Sequence, residues 1–173
     1  MSKASNNAVR LENVSKMFYL NNQEISVLKD ISFSIDKGSS NSIIGASGSG
    51  KTTLLNIVGA LNIPTSGEVW LDGEKISEMS PKQLAWIRSR KLGYCFQSYN
   101  LIPVLNAYDN IELPLLITKT PEDERKERVQ ELLELVGLSH REKHKPHELS
   151  GGEQQRVTIA RALANSPEVL LAD

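Results

Sequence analysis

The chain has 173 residues, 39% of them hydrophobic and 24% charged, with a formal net charge of -1. That balance suits one globular domain and excludes both a disordered polymer and a strongly basic surface built for nucleic acid. A single cysteine, Cys95, excludes an internal disulfide framework and fits a reducing compartment.

In chain order, the segment Met1 to Asn7 is polar and lacks the apolar centre of a secretion signal. Val9 and Leu11 then alternate with polar neighbours, and Ile31, Phe33 and Ile35 alternate strictly. This period of two predicts half-buried antiparallel strands. After the turn signal Asp36-Lys37-Gly38, Ser42-Ile43-Ile44 reads as a short buried strand. A helix is expected to follow Gly50, with Leu54, Val58 and Leu61 on one face and Pro64 as its stop. Val69 and Leu71 precede Asp72-Gly73, a hairpin signal. Ser80-Pro81 opens another helix, and Gln83 is placed to close a capping box. Leu92 to Phe96 reads as a buried strand.

From Gln97 to Leu149 the pattern becomes helical. Its clearest helix begins at Thr120-Pro121, carries Val129, Leu132, Leu133 and Val136, and is closed by Gly137. The charged run Glu122 to Arg128 reads as its solvated face. The last helix starts at Ser150 and is ended by Asn165-Ser166-Pro167, after which Val169 to Ala172 reads as a buried strand running into Asp173. Alternating strands and helices predict an α/β fold with a largely parallel core sheet. No apolar run approaches the ~20 residues of a membrane span.

Chemistry concentrates in Gly45-Ala46-Ser47-Gly48-Ser49-Gly50-Lys51-Thr52. Consecutive backbone N–H groups can cradle a phosphate only where side chains stay clear and the backbone can turn through positive φ. Glycines at these spacings, feeding a helix N-terminus, meet that need. Lys51 can reach the β- and γ-phosphates, and the Thr52 hydroxyl can ligate Mg²⁺. The loop alone does not choose among kinases, GTPases and ATPases.

A second motif narrows the field. Leu149-Ser150-Gly151-Gly152-Glu153-Gln154-Gln155-Arg156 resembles the LSGGQ signature of ABC ATPases. Gln97, after Phe96, resembles the Q-loop glutamine, and Val169 to Asp173 resembles a Walker B strand. The stretches GASGSGKTTLLNIVGAL and LSGGEQQRVTIARALAN are similar to the ATPases of lipoprotein release, macrolide export and antimicrobial-peptide export, with a cell-division ATPase close by. Ser150 and Glu153 alone would make an ordinary capping box, but a plain helix start would avoid Gly151 and Gly152 for their entropy cost.

The resemblance implies a P-loop NTPase (RecA-like) core with an antiparallel β subdomain and an inserted helical subdomain, truncated after the Walker B strand. Residues 1–96 would hold the β subdomain and P-loop core, 97–149 the Q-loop and helical subdomain, and 150–173 the signature helix and Walker B strand. It implies ATP held by Phe18, Gly45, Ser47, Gly48, Ser49, Gly50, Lys51, Thr52 and Thr53, with Tyr19 as the alternative adenine platform. Mg²⁺ falls to Thr52, Gln97 and Asp173, and catalysis to Lys51, Gln97 and Asp173. Ser150, Gly151, Gly152 and Gln154 would meet the nucleotide of a second copy in a head-to-tail dimer. The other partner implied is an integral-membrane permease received around Gln97 to Glu112, at the cytoplasmic face of the membrane, with no nucleic acid. An ABC ATPase of DNA repair or translation is the alternative class, disfavoured by the compact motif spacing.

In the family, a catalytic glutamate follows the Walker B aspartate, then a D-loop, further strands and a switch histidine. Ending at Asp173, the chain is expected to bind MgATP without hydrolysing it, and to melt below about 45 °C with a sheet edge exposed. The polar lead-in Ser39-Ser40-Asn41-Ser42 departs from the family's apolar strand. His140, His144 and His147 read as a solvated loop, and Cys95 as core.

Overall fold

The computed structural model describes residues 6–21 and 23–173, which divide into two compact units, residues 1–85 and 86–173. In the first unit, β1 (Asn7–Leu20) and β2 (Gln23–Asp36) form a long antiparallel hairpin. β3 (Ser66–Leu71) pairs with the other edge of β1, and β4 (Glu74–Lys75) completes the order β2-β1-β3-β4. Val9 and Leu11 of β1 face Leu71 and Val69 of β3, and all four side chains are buried. Burying such a side chain stabilises by about 1.5–3 kcal/mol, which fixes the register. The hairpin turn at Asp72 and Gly73 takes positive φ at both residues, as a type I′ turn requires.

The strand expected at residues 42–44 does not form. Ile44 is 92% exposed, and the segment belongs to neither sheet. Its polar lead-in bonds locally instead: the Ser39 hydroxyl donates to the Asp36 carbonyl at 2.7 Å, and the Asn41 amide donates to Ser39 Oγ at 2.8 Å. Such side-chain turns compete with strand pairing. The helix α1 (Lys51–Val58) is also shorter than expected. Ala60 adopts φ 56, and the amides of Leu61 and Ala60 donate back to the Asn56 and Ile57 carbonyls. This 6→1 and 5→2 pair closes the helix well before Pro64 and leaves Leu61 outside it and exposed.

The second unit opens within α2 (Pro81–Lys91), whose start carries the expected box: the Ser80 amide donates to Gln83 Oε1 at 2.9 Å, and the Gln83 amide donates to Ser80 Oγ at 3.4 Å. β5 (Leu92–Cys95) and β6 (Val169–Ala172) form a parallel pair in register Leu92↔Val169 to Cys95↔Ala172. Parallel pairing among the described residues is confined to these two strands. Because β5 pairs with β6, it groups with the helical segment rather than with the glycine loop.

Helices α3 (Ala107–Ile117), α4 (Glu122–Leu135) and α5 (Gly151–Leu163) bury Ile111, Leu115, Val129, Leu132, Leu133 and Val157 in one core. α5 lies close on β5, where a Cβ at Gly93 would stand 2.3 Å from the Ala162 carbonyl oxygen. β6 is not the buried strand expected. It alternates half-buried and exposed positions, with Leu170 48% exposed, because in this sheet it has one neighbour, β5.

Two members of the charged run on α4 are structural rather than solvated. Arg125 pairs with Glu112 at 2.9 Å and donates to the Thr120 carbonyl, while Arg128 donates to the Leu163 and Ala164 carbonyls at the end of α5. His140 and His147 are exposed, but His144 is half-buried, with Nε2 3.1 Å from Arg141 Nη1. No helix among the described residues is long and apolar enough to cross a membrane.

Candidate functional site

The glycine loop ends at the N-terminus of α1. Gly48 and Gly50 have φ of 76° and 92°, the left-handed region that L side chains rarely adopt. A Cβ on Gly50 would also come 3.1 Å from the Val27 carbonyl oxygen and 3.0 Å from Leu28 Cδ2 on β2. One on Gly45 would stand 2.6 Å from Ser49 Oγ. Gly50 is the N-cap residue of α1 and supplies no side-chain cap, so the first turn keeps its positive end directed at the loop. Lys51 arcs back over the loop and donates to the Gly45 and Ala46 carbonyls at 2.9 and 2.8 Å. Bare backbone, a helix start without a side-chain cap and a cation held at the mouth fit a polyphosphate. Ser47, Ser49 and Thr52 are exposed on the same loop, and Thr53 is half-buried.

Phe18 lies on β1 and is 40% exposed, so it is no core aromatic. The Lys16 ammonium stands 5.1 Å from its ring centroid and donates to the Ile63 carbonyl at 2.8 Å. Tyr19 is more exposed still.

In the second unit the parallel pair gathers two more candidates. The Asp173 amide donates to the Cys95 carbonyl at 3.1 Å, which sets Asp173 at the carboxyl edge of the pair. Gln97, exposed in the turn that leaves β5, shares that edge, where open α/β sheets place their ligands. Burial pushes the Tyr94 phenol and the Cys95 thiol up, so both stay neutral and neither is an acid–base or nucleophilic candidate.

The turn after Gln97 carries Tyr99 and Asn100 at φ 59° and 48°. Two successive non-glycine residues in this region cost about 1–3 kcal/mol each. The surroundings impose it: Arg161 donates to both carbonyls, and the Thr158 hydroxyl donates to that of Tyr99. Beyond the turn, the fully buried Asn110 accepts from the Ile102 amide at 2.8 Å and donates to the Ile102, Leu105 and Asn106 carbonyls. The loop so fixed presents Val104, 75% exposed.

At the start of α5 the expected box is complete. The Ser150 amide donates to Glu153 Oε2 at 2.7 Å, and the Glu153 amide donates to Ser150 Oγ at 3.3 Å. The Ser150 amide holds the Glu153 carboxyl below its usual range, with the Ser150 hydroxyl and Arg141 adding to the effect. The Gln154 amide nitrogen donates to the Pro146 and Leu149 carbonyls, bracing the chain that enters the helix. Gly151 and Gly152 are exposed, and a Cβ on either would meet only ordinary contacts, at 3.6 Å from Tyr99 Oη and 3.8 Å from Arg156 Nη1. Among the described residues, no close contact requires these two glycines.

The family profile described as ABC transporter matches residues 28–173. The chain belongs to the ABC transporter family. It carries that family's ATP-binding domain, and the expected P-loop NTPase fold with an antiparallel sheet is borne out. This ABC domain is 51% identical over 165 residues to an uncharacterized ABC transporter ATP-binding protein of Thermotoga maritima, covering 95% of the chain and 70% of that protein. It is 50% identical over 165 residues to the lipoprotein-releasing system ATP-binding protein LolD of Aquifex aeolicus, covering 72% of it. The macrolide export ATP-binding/permease protein MacB of Escherichia coli is 46% identical over 165 residues, and the chain spans 26% of its length. Among solved structures, the dimeric ATP-binding cassette MJ0796 bound to ADP and Pi superposes with a TM-score of 0.89 at 46% identity, covering 95% of this chain and 73% of that one.

Sequence reading does not single out Arg161, Thr158 or Asn110 in this ABC domain. The visible signal was a lone arginine on the face of Ile159-Ala160-Arg161-Ala162-Leu163, an apolar setting that makes a charge expensive without partners.

Proposed function

We propose that this ABC domain binds MgATP, pairs head-to-tail with a second copy and, in full-length form, hydrolyses ATP to drive a membrane permease of the export or lipoprotein-release type. The observation that carries the reading is the glycine loop, with Gly48 and Gly50 in left-handed backbone, an N-terminus of α1 free of any side-chain cap, and Lys51 bridging the Gly45 and Ala46 carbonyls.

The amides from Gly45 to Thr53, with the Ser47 and Ser49 hydroxyls beside them, orient the phosphate chain. Lys51 exchanges its two carbonyls for phosphate oxygens. Thr52, Gln97 and Asp173 are the residues that would hold Mg²⁺, and the cation would supply charge to offset that of the phosphates. Phe18 takes the adenine on its exposed face, where stacking favours a flat aromatic partner. Ser150, Gly151 and Gly152 offer the start of α5 to the nucleotide of the second copy, with Gln154 fixing the entry to that turn. Their freedom from any steric need among the described residues supports an external purpose. The residues assigned here bind and orient; none is a general base.

The permease would dock on residues 97–112, where Asn110 fixes a loop that presents Val104. On this reading the domain works at the cytoplasmic face of a membrane and takes no nucleic acid as partner. The names LolD and MacB among its relatives support the class of transporter.

The test is Lys51→Ala, assayed with a fluorescent ATP analogue. Losing a charge-assisted contact to phosphate is expected to weaken binding by about 100-fold. Unchanged affinity would sink the site.

A further inference from the structure

Arg161 lies ten residues beyond Gly151, about 15 Å along α5 from the signature glycines. Its guanidinium donates to the Asn100 carbonyl at 2.7 Å and the Tyr99 carbonyl at 2.8 Å, two main-chain oxygens rather than a carboxylate. One turn back, the buried Thr158 hydroxyl shares its one proton between the Tyr99 carbonyl at 3.2 Å and the Gln154 carbonyl of its own helix at 3.0 Å. At the start of the helix, the Tyr99 phenol reaches back to Gly151, where a Cβ would stand 3.6 Å from Oη. The turn that carries Gln97 is thus fastened to the later turns of α5, and the Tyr99 phenol lies near the start of the helix. Its other bonds are internal: the Tyr99 amide donates to the Phe96 carbonyl and the Asn100 amide to the Ser98 carbonyl.

Burying a guanidinium is costly unless its donors are used, and here they hold a backbone that would otherwise relax. Tyr99 and Asn100, at φ 59° and 48°, have no glycine to make that conformation easy. A turn strained in one state and released in another is the kind of element through which two sites can couple.

We propose that Arg161 is a positioning residue: it locks the Gln97 turn onto the signature helix, so that the two move as one body and an anion seated at Gly151 and Gly152 changes the placing of Gln97. The proposal rests on the MgATP reading above, and its test separates the two.

Arg161→Lys keeps the charge but replaces the rigid planar fork aimed at the two carbonyls with a flexible, differently placed ammonium, and Arg161→Ala removes both bonds. In the ligand-free protein, hydrogen exchange of the amides from Ser98 to Leu101 is expected to speed by about 10-fold or more in both variants, while α3 and α4 keep their protection. Affinity for a fluorescent ATP analogue in the presence of a chelator should stay within about twofold of the parent. The gain in affinity on adding Mg²⁺ should fall by about 10-fold, because Gln97 is no longer held at the edge it shares with Asp173. A merely structural arginine would lower the melting temperature without this Mg²⁺-specific loss. Should the alanine variant fail to fold, Thr158→Val, nearly isosteric, removes one of the three clamping bonds and should move exchange in the same direction by less. Unchanged exchange at Ser98 to Leu101 in the lysine and valine variants would overturn the clamp, whatever the nucleotide data. Faster exchange with a full Mg²⁺ gain would overturn its role in placing Gln97. Normal binding by Lys51→Ala would instead remove the MgATP reading, and the exchange result would still decide the clamp.

Discussion

Gly151→Ala should separate folding from function at the signature. A methyl there meets only the Tyr99 hydroxyl, at 3.6 Å, an ordinary van der Waals distance, and Gly151 is exposed in the first turn of α5. Alanine in a helix is favoured over glycine by up to about 1 kcal/mol, so stability should be unchanged or slightly higher. Gly93→Ala provides the contrast. Its methyl would stand 2.3 Å from the Ala162 carbonyl oxygen and 3.0 Å from both Leu170 Cδ1 and Pro167 Cγ. Backbone at 2.3 Å cannot yield as a flexible side chain can, so α5 must lift from β5 by about an ångström. Overpacking of this kind costs about 1–3 kcal/mol, and the upper end applies because the clash is with main chain. Urea unfolding of both variants against the parent reads the difference directly, with the denaturant slope confirming a common transition. ATP-driven self-association, followed by light scattering, reads the function, and there the order should reverse. Gly151→Ala is expected to associate poorly despite its sound fold, because the methyl occupies the ground proposed for the partner's nucleotide. An unstable Gly151→Ala, or a Gly93→Ala within about 0.5 kcal/mol of the parent, would refute the steric argument.

Two further outcomes are expected from the polar network of the second unit. Asn110→Ala removes the hydrogen bonds of a fully buried side chain, one accepted from the Ile102 amide and those its NH₂ shares among the Ile102, Leu105 and Asn106 carbonyls, so denaturant titration should show a loss of about 2–4 kcal/mol, beyond ordinary surface changes. Glu153 has a carboxyl held below its ordinary value of 4.5, first by the Ser150 amide, then by the Ser150 hydroxyl and Arg141. A depressed folded value means that the unfolded chain takes up the proton first. The contribution is therefore whole above about pH 4.5 and fades as pH falls through the lower folded value. Glu153→Gln should flatten this part of the acid limb in melts taken between pH 3 and 6, roughly the range over which a carboxylate titrates. An acid limb identical to the parent's would count against the cap as its source.

Much of this fold can be read before any coordinates. The alternation at Val9, Leu11, Ile31, Phe33 and Ile35 gives the antiparallel hairpin, and Ser150 with Glu153 marks the start of α5 to the residue. Those signals are local, and so is the chemistry behind them. Ile43 and Ile44 mislead because an apolar pair reads as buried, whereas a strand exists only where neighbours accept its hydrogen bonds. Pro64 misleads because Ala60 had already ended α1 by a left-handed turn that nothing in its side chain announces. Arg161 and Asn110 escape for the opposite reason. What each does depends on carbonyls elsewhere, and for Arg161 the Tyr99 carbonyl is 62 residues away along the chain. Of the candidate site, the loop and signature are legible because backbone recognition demands glycine. The clamp between helix and turn is not, since any carbonyl looks like any other in a sequence.

The resting place of Lys51 bears on which anions the loop can choose. An ammonium bonded to the Gly45 and Ala46 carbonyls keeps its charge but already has two of its three donors engaged by its own chain. A ligand must replace two good hydrogen bonds while it fills the amides of the loop. Inorganic phosphate is too short to do both well and gains little by displacing the lysine. A chain of phosphates would be long enough to fill the loop amides and also take the ammonium. On the proposed MgATP reading, the folded-back lysine would act as a length gauge that favours a triphosphate over a monophosphate.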